Sequence, residues 1–524
     1  MSKYRKWTVF PASMGLTFAL LTGCGSGIST AGASQMVIGM SDEVLATDPA
    51  SGYDPGSWIV FNNVFQSLLS FPNGGTEPKP DAAESCSFTD TRSEVYRCTI
   101  KTGLKFSNGD PLTSRDVKFS FDRVRKIDDP AGPAVMFQGL KRVETPDDRT
   151  VIFQLGAPDA TFPSKIASGA GAIVDSREYD AAALRREHTA IGSGPYKLDS
   201  FDKKKAIFSV NSTYKGAVKV KNSGVTLRFY HGNRSALKDS LLGGRIDVAF
   251  RGLSAQDIAN LDSQNQHGKI RVVEGNSAEV HDLVFNMNDP VVRRLGVRRA
   301  IAYLIDRNAL MQKIYQNTAT PLYSIIPSGI GSHNTSFFDR YGDAPSRAKA
   351  AAALRGDGIT EKVQLTLWST PSRYGPATDD EIAEIAAQLN ASGLFDARMK
   401  SVSFDAYEKG IAAGQYGVYV KGWVPDYPDP DNFTAPFFGS GNVLGNKFVN
   451  TTITQVLIPR TAAESNRSET DEDFEKIQNI VAEQLPMLPL WQGKQYAVIH
   501  SDVSGYSYCL DESTVFRFWE LYKS

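Results

Sequence analysis

The sequence predicts an α/β chain folded as two or three lobes. Three observations carry this. At 524 residues the chain is far longer than one hydrophobic core fills. Strand-like and helix-like patterns alternate along it without an internal repeat, the mixture expected where helices cover sheets. With 41% hydrophobic and 22% charged residues, it has the composition of ordinary globular material.

The elements read as follows. Residues 363–368, Val-Gln-Leu-Thr-Leu-Trp, alternate with period two, as a half-exposed strand does. Two shorter β-like runs, 85–88 and 95–100, flank a polar turn at 89–94. Four segments carry helical spacing. Val117, Phe121 and Val124 follow Thr113 and Asp116, which stand in capping-box spacing. Val297, Ile301, Leu304 and Ile305 form a second stripe. Ile382, Ile385, Ala386 and Leu389 form a third, stopped by Gly393. Phe474, Ile477, Val481 and Leu485 form a fourth, after Thr470 and Asp473. These stripes are core faces and carry no functional information. Prolines and glycines cluster at 71–80, 425–436 and 438–445, and so mark loops. The second of these combines aromatics with acids, a composition more often functional than filler.

The N-terminus is a separate matter. Lys3, Arg5 and Lys6 precede a mostly apolar stretch, residues 7–21, that Pro11 and Gly15 interrupt and that is short for a spanning helix. Leu21-Thr22-Gly23-Cys24 closes it. A charged start, apolar middle and small-residue exit describe a signal peptide, here residues 1–23. The exit resembles a bacterial lipobox, which implies that Cys24 receives a diacylglycerol anchor. The other reading is an ordinary signal peptide with Cys24 incidental. Residues 24–35 are mainly Gly, Ser, Ala and Thr and suit a flexible tether. With Lys3, Arg5 and Lys6 removed, 54 basic residues face 58 acidic ones, a charge of −4. No long basic run exists, which argues against a nucleic-acid partner.

Three further cysteines remain. Cys86 and Cys98 lie in the two short β-like runs, and export favours a disulfide between them over two free core thiols. Cys509 is left as a buried thiol. No Cys-x-x-Cys pair points to zinc or redox chemistry. Of the six histidines, no two stand at metal-helix spacing. The chain has no His-Glu-x-x-His, no Gly-x-Ser-x-Gly elbow and no phosphate-cradling Gly-x-x-x-x-Gly-Lys loop. Neither an enzyme nor a bound cofactor is therefore expected.

Eight segments in order resemble one family. They are Thr47-Asp48-Pro49, then residues 63–69 (NVFQSLL), 78–85 (PKPDAAES) and 103–117 (GLKFSNGDPLTSRDV). Residues 192–198 (GSGPYKL), 244–249 (GRIDVA), 297–307 (VRRAIAYLIDR) and 422–433 (GWVPDYPDPDNF) follow. Together they are similar to the peptide and nickel class, family 5, of ABC-transporter solute-binding proteins, and the similarity spans almost the whole mature chain. The resemblance implies a periplasmic-binding-protein-like two-lobe fold (class II, cluster C) with an extra domain inserted in the first lobe. Lobe I would comprise 36–71, 190–277 and 490–524, the extra domain 72–189, and lobe II 278–489.

It also implies a function: an extracytoplasmic lipoprotein at the cell membrane that captures di- or oligopeptides by hinge closure. Its partners would be the peptide and the permease subunits of an importer with a cytoplasmic ATPase, and the receptor would be a monomer. In peptide-binding members the acid after Gly-Trp-x-x fixes the ligand's α-ammonium, and here that residue is Asp426. On residue chemistry alone, Asp426, Asp429 and Asp431 are as readily solvated or capping loop acids. Arg373, in the segment 367–376, resembles the arginine that dipeptide receptors give to the ligand's carboxylate, since its planar fork suits two parallel bonds. A surface arginine stabilising its own loop is the other reading. Trp423 and Tyr427 would wall the cleft, with Tyr53 and Trp58 as further aromatic candidates, and core packing is the alternative for all four. Sugars, opines and nickel complexes are the other ligands the resemblance leaves open.

Overall fold

The computed structural model describes residues 34–263, 268–371 and 373–524. The charged leader, Cys24 and residues 24–33 of the tether lie outside them. One mixed sheet threads the chain. From one edge its strands run Phe395–Ser401, Val363–Ser369, Val418–Trp423, Ile270–Phe285 and Met487–His500. It continues through Val248–Phe250, Met36–Met40, Gly224–Phe229, Lys205–Val210 and Tyr196–Phe201.

Two large cores lie along this sheet. The first gathers Ile38, Phe61, Leu227 and Phe518; the second gathers Leu283, Ile301, Leu367, Val420 and Ile477. Ile270–Phe285 and Met487–His500, antiparallel neighbours of 16 and 14 residues, serve both. Val280 and Leu488 are in the second core, whereas Ala497 and Ile499 are in the first. Their pairing is irregular between Asn276 and Val280, where the strands change cores. A bulge bends and twists a strand without breaking the chain's continuity, which suits a hinge. This is a two-lobe α/β fold.

A four-stranded antiparallel sheet, ordered Ala83–Phe88, Val95–Ile100, Thr150–Leu155 and Leu140–Glu144, stands apart from the main one. The helix Ser114–Ile127 lays Phe121 on it, ring centroids 5.0 Å from Phe153. The capping pair forms as its spacing suggests: the Thr113 amide donates to Asp116 Oδ2 at 2.8 Å. Cys86 lies directly opposite Cys98 in the first two strands, Cα atoms 4.1 Å apart, and their sulfurs are bonded. Closing a separation of 12 residues contributes about 3 kcal/mol in the chain-entropy model. Cys509 is buried and forms no disulfide among the described residues, and burial pushes its thiol up to about 12.

A buried ion pair fastens this smaller sheet to the first lobe. Arg123, on the helix Ser114–Ile127, donates to Asp48 through two nitrogens at 2.7 and 2.6 Å. Both side chains are almost wholly buried. The remaining donors of Arg123 reach the Asp180 and Ala183 carbonyls, and Asp48 also accepts from the Ala50 and Arg185 amides. Asp48 is the central residue of the Thr-Asp-Pro segment, so here a motif residue has a purely structural task.

The other helical stripes become the helices Leu295–Leu304, Thr378–Ala391 and Asp471–Gln484. Gly393 ends the second of these at φ +73°, a conformation that only glycine adopts readily. The third starts differently from its sequence pattern. Thr470 closes a 3₁₀ turn, Arg467–Thr470, and makes no cap hydrogen bond. Asp473 pairs with both edge nitrogens of Arg460 instead, because a guanidinium offers a carboxylate more than one amide does.

Candidate ligand-binding site

Strands Val363–Ser369 and Val418–Trp423 run parallel and side by side, Leu367 opposite Val418. Both therefore release their loops at the same edge, where the lobes meet. Ligands of open α/β sheets bind outside such carboxyl ends.

The loop after Trp423 folds back on itself. Asn432 Oδ1 accepts from Trp423 Nε1 at 3.0 Å and from the Asp426 amide at 3.2 Å. Asp429 accepts from two nitrogens of Arg467, at 3.0 and 2.6 Å, and from the Asp431 amide at 2.8 Å. Asp429 and Asp431 are thus internal to the loop. Asp426 is not. Its Oδ1 accepts at 2.6 Å from the hydroxyl of Tyr53, which belongs to the segment just ahead of the first-lobe helix Pro55–Val64. The two lobes touch at this bond. Burial raises the Asp426 carboxyl above the usual range, opposed by the hydrogen bonds of Tyr53 and Asn432 and by the charge of Lys165.

Asp431 is under greater strain. Burial, and then repulsion from Asp429, push its carboxyl up to about 7, against the charge of Arg467. Its Oδ1 finds no hydrogen-bond partner among the described residues. The rise from 3.8 to about 7 lowers folding stability by on the order of 4 kcal/mol once the group ionises. A carboxyl raised in the folded state favours folding below its unfolded value, and that favour is lost as pH rises through the folded one. Asp431→Asn is therefore expected to raise the melting temperature more at pH 8 than at pH 5.5, as measured by thermal scans at both. An equal change at both would contradict this.

The other residues singled out from sequence scatter. Trp423 is half-buried, its ring edge-on to Phe437 at 5.4 Å on the second core. Tyr427 does not wall the cleft: it is 6% exposed and plugs into the first core, although the strand its loop follows, Val418–Trp423, belongs to the second lobe. Tyr53 and Trp58 pair at 5.8 Å beside Asp426. Arg373 is exposed, its guanidinium 5.0 Å from the centre of the Phe404 ring.

Sequence reasoning missed the cavity itself, of about 590 Å³, which lies where the long strands cross between lobes. Arg251 and Leu253 line it from the first lobe, Tyr315, Tyr374 and Val424 from the second, and Glu279 and Trp491 from the crossing strands. Its size falls within the roughly 300–1,000 Å³ of small-molecule sites. Arg251 pairs with Asp42 at 2.5 Å. Beneath the cavity, Glu381 is wholly buried and accepts from His281 Nδ1 at 2.7 Å, Trp491 Nε1 at 2.8 Å and Tyr315 OH at 3.0 Å. These residues are distant in sequence and stand in no spacing that a pattern could expose. Among the described residues no group of three or more His, Cys, Asp or Glu is placed to hold a metal ion.

Two lobes on a shared pair of crossing strands, with a cavity of small-molecule size between them, are the architecture of a solute-binding receptor. The chain belongs to the bacterial extracellular solute-binding proteins, family 5, whose model matches residues 77–445. It is 25% identical over 484 residues to the probable D,D-dipeptide-binding periplasmic protein DdpA of Escherichia coli, covering 90% of this chain and 91% of that one. It is also 25% identical to the heme-binding protein A of Haemophilus influenzae, covering 87% of this chain and 86% of the other. The solved structure of the periplasmic binding protein DppA from Helicobacter pylori, in complex with peptide STSA, superposes with a TM-score of 0.73. It is 22% identical and covers 94% of this chain and 98% of its own. The protein is thus an extracytoplasmic solute-binding protein of an ABC importer, and not an enzyme.

Proposed function

We propose that this receptor captures short peptides by hinge closure and passes them to a membrane permease, working as a monomer from a lipid anchor at Cys24. The observation that carries the peptide reading is the position of Asp426. Its carboxylate is largely removed from water, at the junction of the lobes, with a first-lobe hydroxyl already bonded to it. A peptide's α-ammonium is the ligand group that compensates such a carboxylate, and bonding it to a second-lobe acid beneath a first-lobe tyrosine stabilises the closed state. The names of relatives that bind dipeptides support the same reading.

For the ligand's carboxylate we retain Arg373. Its loop continues into Tyr374, which lines the cavity. Stacking on Phe404 holds an exposed arginine by about 0.5–1 kcal/mol, less than a paired carboxylate offers. Turning from that ring to the cavity is the movement this role requires. The lobe limits we use are 36–71, 190–277 and 490–524 for the first lobe, 72–189 for the extra domain and 278–489 for the second. The change of core along the long strands supports the limit at 277 and 278, and on Met487–His500 it falls after Trp491.

Native mass spectrometry of the undenatured soluble domain tests the ligand class. The expected result is a co-purified mass that denaturation releases and fragmentation reads as a short peptide with a free amine. A released ligand without an amino group would reject the peptide reading.

A further inference from the structure

One wall of the interlobe cavity has a chemistry that the peptide termini do not use. Tyr315 and Trp491 lie with ring centroids 4.7 Å apart, Tyr374 stands with them, and Glu279 joins them from the crossing strand. Behind the two rings lies the buried Glu381 carboxylate, which accepts from the hydroxyl of one and the indole nitrogen of the other. A carboxylate bonded to those donors pushes electron density into their rings. Their faces therefore attract a cation more than isolated tyrosine or tryptophan does, and the surrounding protein screens that attraction less than water would.

Two of the three basic side chains lining this cavity are engaged elsewhere: Arg251 with Asp42 and Lys494 with Glu274, at 2.5 and 2.8 Å. Arg234 stands on the first-lobe wall. Among the described residues, the nearby arginines and lysines that stack on aromatic rings choose others, Arg307 on Tyr323, Arg373 on Phe404 and Lys400 on Trp368.

We infer that Tyr315, Trp491, Tyr374 and Glu279 form a side-chain subsite for a cation, so that the peptides this receptor takes carry a lysine-, ornithine- or arginine-like side chain. The inference rests on the peptide reading above. Val424, two residues before Asp426, lines the same cavity. Asp426 itself is outside the lining, so a ligand whose amine meets it reaches these rings by extending past Val424, and its basic side chain supplies a second positive charge there.

Calorimetric titration of the soluble mature chain with tripeptides of one length tests this. The probes are trialanine with one residue replaced by lysine, by the uncharged isostere norleucine, or by glutamate, each moved through the three positions. At one position at least, the lysine peptide is expected to bind tenfold or more tighter than the norleucine peptide, with glutamate weakest. In Glu279→Gln the lysine-to-norleucine ratio is expected to fall below threefold. Equal affinities for lysine and norleucine at every position, with binding intact, would overturn the cation subsite and leave the peptide reading standing. A lysine preference undiminished in Glu279→Gln would place the cation elsewhere and overturn this assignment. No binding by any tripeptide would overturn the peptide reading, and the subsite with it.

Discussion

Asp426→Ala is expected to weaken short-peptide binding by about 10- to 100-fold while the melting temperature stays within a few degrees of the parent's. The loss follows from removing one charge-assisted hydrogen bond, worth about 1.5–3 kcal/mol net. The fold survives because, among the described residues, Asp426 forms no ion pair, and its main side-chain partner, the hydroxyl of Tyr53, is part of a side chain still 37% exposed that water can satisfy. The effect has a pH signature as well. The carboxyl is raised by burial and must be ionised to hold an ammonium, so affinity in the parent is expected to fall as pH drops through that raised value. Titrations at a series of pH values descending from 7.5 should show this drop in the parent and a smaller one in the variant. Unchanged calorimetric affinity in Asp426→Ala would reject the assignment.

Arg123→Ala is expected to cost about 3–5 kcal/mol of stability, read as a lower urea midpoint or melting temperature. Truncating Arg123 strands Asp48 as an uncompensated charge at 3% exposure and leaves the Asp180 and Ala183 carbonyls without their donor. The pair also ties the smaller sheet to the first lobe, so limited proteolysis between the two should accelerate. Removing both charges, as Asp48→Asn with Arg123→Met, is expected to recover part of the loss, because the desolvation of two ions goes with them. A double variant as unstable as the single one would show that packing, rather than the unpaired charge, dominates.

Asp48 and Asp426 show where reading from sequence succeeds and where it stops. Both stand in segments that resemble the family, and in the sequence they are alike: an acid beside proline in a turn-rich stretch. The structure gives one to a buried arginine and the other to the junction of the lobes. The same holds among the loop acids. Asp429 and Asp431 differ from Asp426 only by position, yet Arg467, 38 residues away, claims Asp429 and leaves Asp431 buried beside it. Tyr427 looked equivalent to Trp423 as a cleft aromatic, but its ring crosses into the other core.

By itself, the sequence determined what depends on near neighbours and on order along the chain. The period-two strand at 363–368, the helical stripes, the capping pair Thr113 and Asp116, the facing cysteines at 86 and 98 and the family itself all belong here. Helix and strand periodicity and short-loop closure are local physics, and eight ordered segments survive wide divergence elsewhere. Only the tertiary structure decided which charges face one another. Tyr53 meets Asp426 across 373 residues, and Glu381 gathers donors from residues 281, 315 and 491. A charged group's role is set by the partners and dielectric around it, and here those come from strands paired far along the chain.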